Sequence, residues 1–125
     1  MLYKELTGEI IEAFYEVYNK LGYGFLEKVY EKALQEELRI RNIATSTQLP
    51  ITVYYNQKIV GEYFADLVVE EKVILELKAS DTLCKSHEIQ LINYLRTTDF
   101  QVGLLLNFGK TPQIRRKIFT HQFKQ

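Results

Sequence analysis

Between Arg41 and Gln48 the hydrophobic period of this chain changes, and the change restricts the folds open to it. Before it, Ile10, Phe14, Val17, Tyr18 and Leu21 recur at three- and four-residue spacing, which predicts an amphipathic helix over about Leu2 to Leu21. Gly22 and Gly24 end that helix, and Leu26, Val29, Tyr30, Ala33, Leu34 and Leu38 form the buried stripe of a second one from about Phe25 to Arg41. After the change, Gln48 to Tyr55 and Lys58 to Val69 are rich in Ile, Val, Thr, Tyr and Phe, with Asn56-Gln57 between them as turn residues, a hairpin signal. Glu70-Glu71-Lys72 is a short charged turn into Val73 to Lys78, a third strand antiparallel to the second, and these two strands are expected at the sheet centre. Ser80 or Asp81 is placed to cap a third helix ending near Arg96. Phe100 to Leu106 reads as a strand buried on both faces, Phe108-Gly109-Lys110 turns the chain, and Ile114 to Phe119 suits an edge strand or a last irregular segment. Pro50 and Pro112 fall at loop or strand-entry positions. The expected class is α/β (α+β), a sheet flanked by helices in the order α-α-β-β-β-α-β, with a further β optional.

At 125 residues and 46% hydrophobic, the chain is expected to form one domain over residues 1–125, with a core that needs neither disulfides nor a structural metal. Its 16 Lys plus Arg balance 16 Asp plus Glu, which excludes a basic protein coating nucleic acid by bulk attraction, a disordered acidic tail and a polybasic membrane anchor. The single Cys84 allows no intramolecular disulfide, the N-terminus lacks a signal-peptide pattern, and no apolar stretch reaches the roughly 18 to 20 residues of a membrane span. A cytoplasmic protein without a membrane partner is expected. The balance hides an uneven distribution: Met1 to Arg41 holds eight Glu against six Lys plus Arg, whereas residues 110–125 hold Lys110, Arg115, Arg116, Lys117 and Lys124 and no acid. A local phosphate grip at that basic end therefore stays open.

Charged residues inside the apolar strands carry the chemistry. Asp66 interrupts Tyr63 to Val69, and Glu76 and Lys78 interrupt Val73 to Lys78; buried strands rarely carry charge without a reason. If the turn is three residues long, Val69 pairs with Val73 and Asp66 comes opposite Glu76. Like charges so placed repel unless a cation lies between them, and two carboxylates at that spacing suit a hard divalent ion such as Mg²⁺. Strand alternation puts Glu76 and Lys78 on one face and Leu77 on the other. Lys78 then stands beside the ion, able to orient a water or to stabilise charge building up on a phosphorus centre. The same three residues also suit a half-exposed, salt-bridged face.

The run Gly24-Phe25-Leu26-Glu27-Lys28-Val29-Tyr30 resembles the GxxExxY pattern of a family of small prokaryotic proteins in the PD-(D/E)xK nuclease superfamily. Asp66 followed by Glu76-Leu77-Lys78 is similar to that superfamily's D…ExK signature, Gln90-Leu91-Ile92-Asn93-Tyr94 looks like its QxxxY element, and Leu105-Leu106-Asn107-Phe108-Gly109 looks like the family's late strand and turn. The signature proline is replaced by Ala65. The resemblance covers nearly the whole chain in order. It implies a restriction-endonuclease-like core and a Mg²⁺-dependent nuclease, with Mn²⁺ able to substitute, hydrolysing nucleic acid, with DNA the favoured substrate and RNA left open. Asp66, Glu76 and the Leu77 backbone carbonyl would hold the metal, Glu27 would complete the acidic shell, and Lys78 would position the attacking water. Glu27 falls on the helix edge shared with Leu34 and Leu38, so it is expected to point partly toward the core; its plainer role is a salt bridge on the helix flank. Tyr30 reads as a packing residue with a hydrogen-bonding tip. Gln90 and Tyr94, four apart on one helix face, would steady Lys78 or contact a phosphate, or else seal the sheet; His87, one turn earlier, is more often structural. Lys110, Arg115, Arg116 and Lys117 would bind nucleic acid.

Signatures of nucleotide-binding loops, zinc proteases, redox dithiols and serine hydrolases are absent from the sequence, and nothing orients Cys84 with His87 as a nucleophile and base. A chain this short leaves little beyond the core for a substrate-gripping arm. A second copy or a protein partner is therefore the expected helper, and the alternative is a nuclease-fold module, silent or active only with that partner, that binds nucleic acid or another protein.

Overall fold

The computed structural model describes residues 2–121, with helices α1 (Lys4–Leu21), α2 (Glu27–Ile40) and α3 (Lys85–Thr97) and strands β1 (Thr45–Tyr55), β2 (Lys58–Val69), β3 (Val73–Lys78), β4 (Val102–Phe108) and β5 (Pro112–Ile118). Lys124 lies outside the described residues. The strands form one sheet in the order β1-β2-β3-β4-β5, antiparallel except for the parallel β3–β4 pair. β3 is the middle strand, with β2 and β4 on either side, so of the two strands expected at the centre β3 holds it and β2 lies next to it. Among the described residues no helix is long and apolar enough to cross a membrane.

The two sheet faces bury different helices. Ile10, Phe14 and Val17 of α1 and Tyr30, Leu34 and Leu38 of α2 meet Leu75 and Leu77 of β3 and Leu104 and Leu106 of β4. On the opposite face Leu91, Tyr94 and Leu95 of α3 cover Ile74 and Leu105. α1 ends as the glycines predict: Gly22, at φ +70°, donates its N–H to the Tyr18 carbonyl at 2.8 Å. α2 starts at Glu27 rather than Phe25, because the Phe25 N–H donates to the Tyr30 hydroxyl at 3.2 Å and Leu26 is extended.

Tyr30 is therefore a structural tie. Its ring is fully buried and stacks on Phe108 at 4.3 Å, while its hydroxyl donates to the Gly22 carbonyl at 2.8 Å. Tyr30→Phe keeps the stack and leaves both backbone groups without their partner, so it should cost about 1–2 kcal/mol of unfolding free energy. A urea midpoint equal to that of the wild type would refute this role.

Three other boundaries differ from expectation for long-range reasons. Ser80 does not cap α3, which begins behind Cys84; the Ser80 N–H donates to Asn107 Oδ1 at 3.0 Å and its carbonyl accepts from Asn107 Nδ2 at 2.9 Å, holding Ser80 against the end of β4. Gly109 crosses so close to this point that a Cβ there would lie 2.0 Å from the Ser80 carbonyl oxygen. Phe108, assigned to a turn by its sequence, extends β4 because its ring is needed against Phe14 and Tyr30. Pro50 sits inside β1 opposite Phe64, a position open to proline because β1 is an edge strand.

The Asn56-Gln57 turn is as expected, both residues having positive φ and Tyr55 pairing with Lys58. The hairpin it closes outruns the rest of the sheet. The β2–β3 ladder runs only from Val69↔Val73 to Leu67↔Leu75, whereas β1 accompanies β2 to its start. The overhang exposes Tyr54, Tyr55, Ile59, Val60, Tyr63 and Phe64. The short chain does build an arm, from the β1–β2 hairpin itself.

Candidate active site

The candidate site lies where the sheet forks, at the point where β2 leaves with β1 and β3 continues with β4. The turn at Glu70-Glu71-Lys72 sets the β2–β3 register through left-handed Glu70 and Glu71 and a 2.9 Å bond from the Lys72 N–H to the Val69 carbonyl. Counting back from Leu67↔Leu75, Asp66 comes opposite Glu76.

Asp66 also stands at a swivel. Side chains two apart on a strand share a face, yet Ala65 packs on the α3 side and Leu67 on the α1/α2 side. β1 turns with it: Leu49, opposite Ala65, packs on the α3 side, and Gln48 between Thr47 and Leu49 has φ +56°. The Asp66 carboxylate is thereby directed across the fork toward β3, where Oδ2 accepts the Leu77 N–H at 2.8 Å. A residue's N–H and C=O leave a strand on the same side, so the Leu77 carbonyl also faces the fork.

Glu76 lies on the α3 face with Ile74 and is 5% exposed; its Oε1 is buried without a hydrogen-bond partner. Burial first, and the neighbouring Asp66 charge second, push its carboxyl up to about 9, while Lys78 pulls it the other way. Lys78, half-buried, shares this face, and Leu77 points into the α1/α2 core. From α3, Tyr94 closes the site. Its phenol is pushed up to about 12 by burial and then by the Glu76 and Asp66 charges, so its hydroxyl stays a neutral donor. Gln90, one turn earlier, joins Tyr94 in lining a 530 Å³ groove between α3 and the arm.

Glu27 is exposed, contrary to the expected inward tilt. The acid that α2 turns inward is Glu31, which is 7% exposed and accepts from Lys28 Nζ at 2.9 Å. Lys28 is held above its usual range by Glu31 first and, more weakly, by Asp66. Glu27, Glu31, Leu34 and Leu38 run along one stripe, and the first turn of α2 leaves Glu27 in water. A carboxylate interrupting the buried run at Glu31 was the readable signal. Among the described residues no group of three or more His, Cys, Asp or Glu converges as a ready-made metal shell.

The basic end is split. Arg115 pairs with Leu105, which pairs with Glu76, so Arg115 is on the site's face but two strands away, about 10 Å by strand spacing. Arg115 and Lys117 both engage Glu88 of α3, at 3.8 and 2.6 Å. Arg116 points to the other face and donates to the Leu2 carbonyl, and Lys110 is exposed on the turn after β4. His87 accepts the Cys84 N–H at the start of α3, a capping contact.

The donor set suits a divalent cation. Two carboxylates and a carbonyl converge on one opening, and the unpartnered buried Oε1 of Glu76 is the oxygen such an ion would satisfy.

The chain belongs to the PD-(D/E)XK nuclease superfamily, whose family model matches residues 4–118. The five-stranded mixed sheet flanked by helices is consistent with that superfamily's restriction-endonuclease-like fold. The crystal structure of SSO0001 is similar in fold, with a TM-score of 0.54 and 17% sequence identity over 73% of this chain and 48% of that one. The chain thus spans about half the length of SSO0001. No curated protein matches the sequence.

Proposed function

We propose that this chain is a Mg²⁺-dependent nuclease that hydrolyses phosphodiester bonds, in DNA rather than RNA. The observation that carries this reading is the buried Glu76 carboxyl beside Asp66 at the fork, with its Oε1 left without a partner. Asp66, Glu76 and the Leu77 carbonyl would hold Mg²⁺ or Mn²⁺, which when bound supplies Lewis-acid activation of water and of a phosphoryl oxygen. Lys78, with three donors and no acceptor, orients the attacking water and stabilises charge on the non-bridging phosphate oxygens. Tyr94, whose hydroxyl is a neutral donor, and Gln90 would steady Lys78 or contact a phosphate from the α3 side.

Metal titration tests this directly. Wild-type protein should bind Mn²⁺ with release of protons, and the Asp66→Asn/Glu76→Gln double variant should lose that binding; equal affinity removes the mechanism. Labelled single-stranded, duplex and branched DNA offered with Mn²⁺ then test catalysis.

The engagement of Arg115 and Lys117 by Glu88, which offsets part of their charge, favours one variation, a site that needs a second copy or another protein to grip its substrate. On that reading Glu88→Gln should free both cations and strengthen DNA binding, with a steeper loss of affinity as salt rises.

A further inference from the structure

The groove between the arm and α3 differs chemically from a duplex-binding surface. Its 530 Å³ is within the range of small-ligand pockets, and no charged side chain lines it. A duplex meets a protein with its phosphates outward and its bases stacked inside, so binding one calls for cations. This groove offers the opposite set. Tyr63, 46% exposed as a residue, reaches in from the arm with its ring 5.7 Å from that of Tyr94 and tilted by 46°. Val53 and Ile89 complete the apolar walls, and Gln90 and Asn93 contribute uncharged amides that can both donate and accept. Flat apolar walls with paired amide groups match a nucleobase, which presents a π-face and a donor–acceptor edge. Tyr94, one wall of the groove, is near enough to Glu76 and Asp66 for their charges to raise its phenol, which places the groove beside the fork.

We infer that this groove receives an unpaired nucleobase of a single-stranded nucleic acid, stacked on Tyr63 with its edge read by Asn93 and Gln90, beside the phosphodiester presented to Asp66 and Glu76. The inference rests on the nuclease reading and adds to it a substrate class, strands or flaps with unpaired bases. Tyr63 is then a specificity-determining residue on the arm, outside the catalytic cluster.

The test is equilibrium binding without turnover. Fluorescence anisotropy of a labelled oligothymidylate and of a duplex of equal length, both in EDTA, should show the single strand bound more tightly. Tyr63→Ala should weaken single-strand binding by about 5- to 100-fold, the range of one lost stacking contact, and Tyr63→Phe should restore it. Ile89→Glu, an exposed position at the groove wall, should weaken it as well by placing a negative charge against the strand. None of the three should change the Mg²⁺-induced rise in melting temperature. Tighter binding of the duplex, or Tyr63→Ala binding like wild type, overturns the groove assignment; if cleavage and the Mg²⁺ response persist, the nuclease reading survives that failure. Tyr63-dependent single-strand binding without a Mg²⁺ response or cleavage overturns the nuclease reading and leaves the groove. Displacement of nothing but a hydrophobic dye, with no oligonucleotide bound, marks an apolar ligand pocket and also overturns the inference.

Discussion

The Lys78→Ala variant should cleave DNA about 10²–10³-fold more slowly than wild type, the usual loss when a preorganised group that stabilises transition-state charge is removed. Lys78 shares its sheet face with Glu76 and its charge acts on that carboxyl, so on the proposed mechanism its ammonium would meet charge developing on a bound phosphate. Metal binding should survive, because the carboxylates and the Leu77 carbonyl are untouched. The discriminating readout is therefore a pair of measurements: Mn²⁺ still raises the melting temperature while the single-turnover cleavage rate falls. Lys78→Arg keeps the charge but replaces a compact ammonium by a planar fork, and should recover little. Cleavage by Lys78→Ala within a few-fold of wild type would remove Lys78 from the reaction.

The second large effect concerns stability. The Glu76 carboxyl is pushed up to about 9 in the folded protein from an ordinary 4.5. Between those values the folded chain holds a proton that the unfolded chain has released, so metal-free stability falls as pH rises across that window. Below it the contribution is fully present. Glu76→Gln cannot ionise and should flatten this slope, making the metal-free protein more stable than wild type at pH 8 by up to about 4 kcal/mol while leaving the two alike at pH 4.5. Urea denaturation in EDTA at both pH values measures this, and parallel pH slopes would refute it. Saturating Mg²⁺ should reverse the order at pH 8, since only wild type gains stability from an ion bound to its folded form.

Local chemistry made the core of this site readable. A charged three-residue turn fixed one register, and strand alternation then set Asp66 opposite Glu76 and Lys78 beside it. What escaped depends on depth and on distant partners. Glu27 and Glu31 lie on one helical stripe, and which of them is buried depends on how far α2 overhangs the sheet. Ser80 carries good capping chemistry, but Asn107, far along the chain, occupies its backbone first. The swivel at Gln48 and Asp66 has no signature, because a left-handed glutamine is stabilised by neighbouring packing and not by its own preference. The arm was hidden for a related reason: its strands look like core strands, and only the short β2–β3 ladder shows that half of the hairpin stands free.

Pro50 and the arginines of β5 have a consequence for the way this molecule meets its own copies. A sheet ends in two rows of unpaired N–H and C=O groups, and an unguarded row templates fibrous growth. β1 forms one border, where Pro50 lacks an N–H and left-handed Gln48 breaks the row. β5 forms the other, where Arg115-Arg116-Lys117 would bring like charges into register in any added copy. Both borders resist polymerisation, so the apolar arm can remain uncovered without seeding aggregation through the sheet's rims.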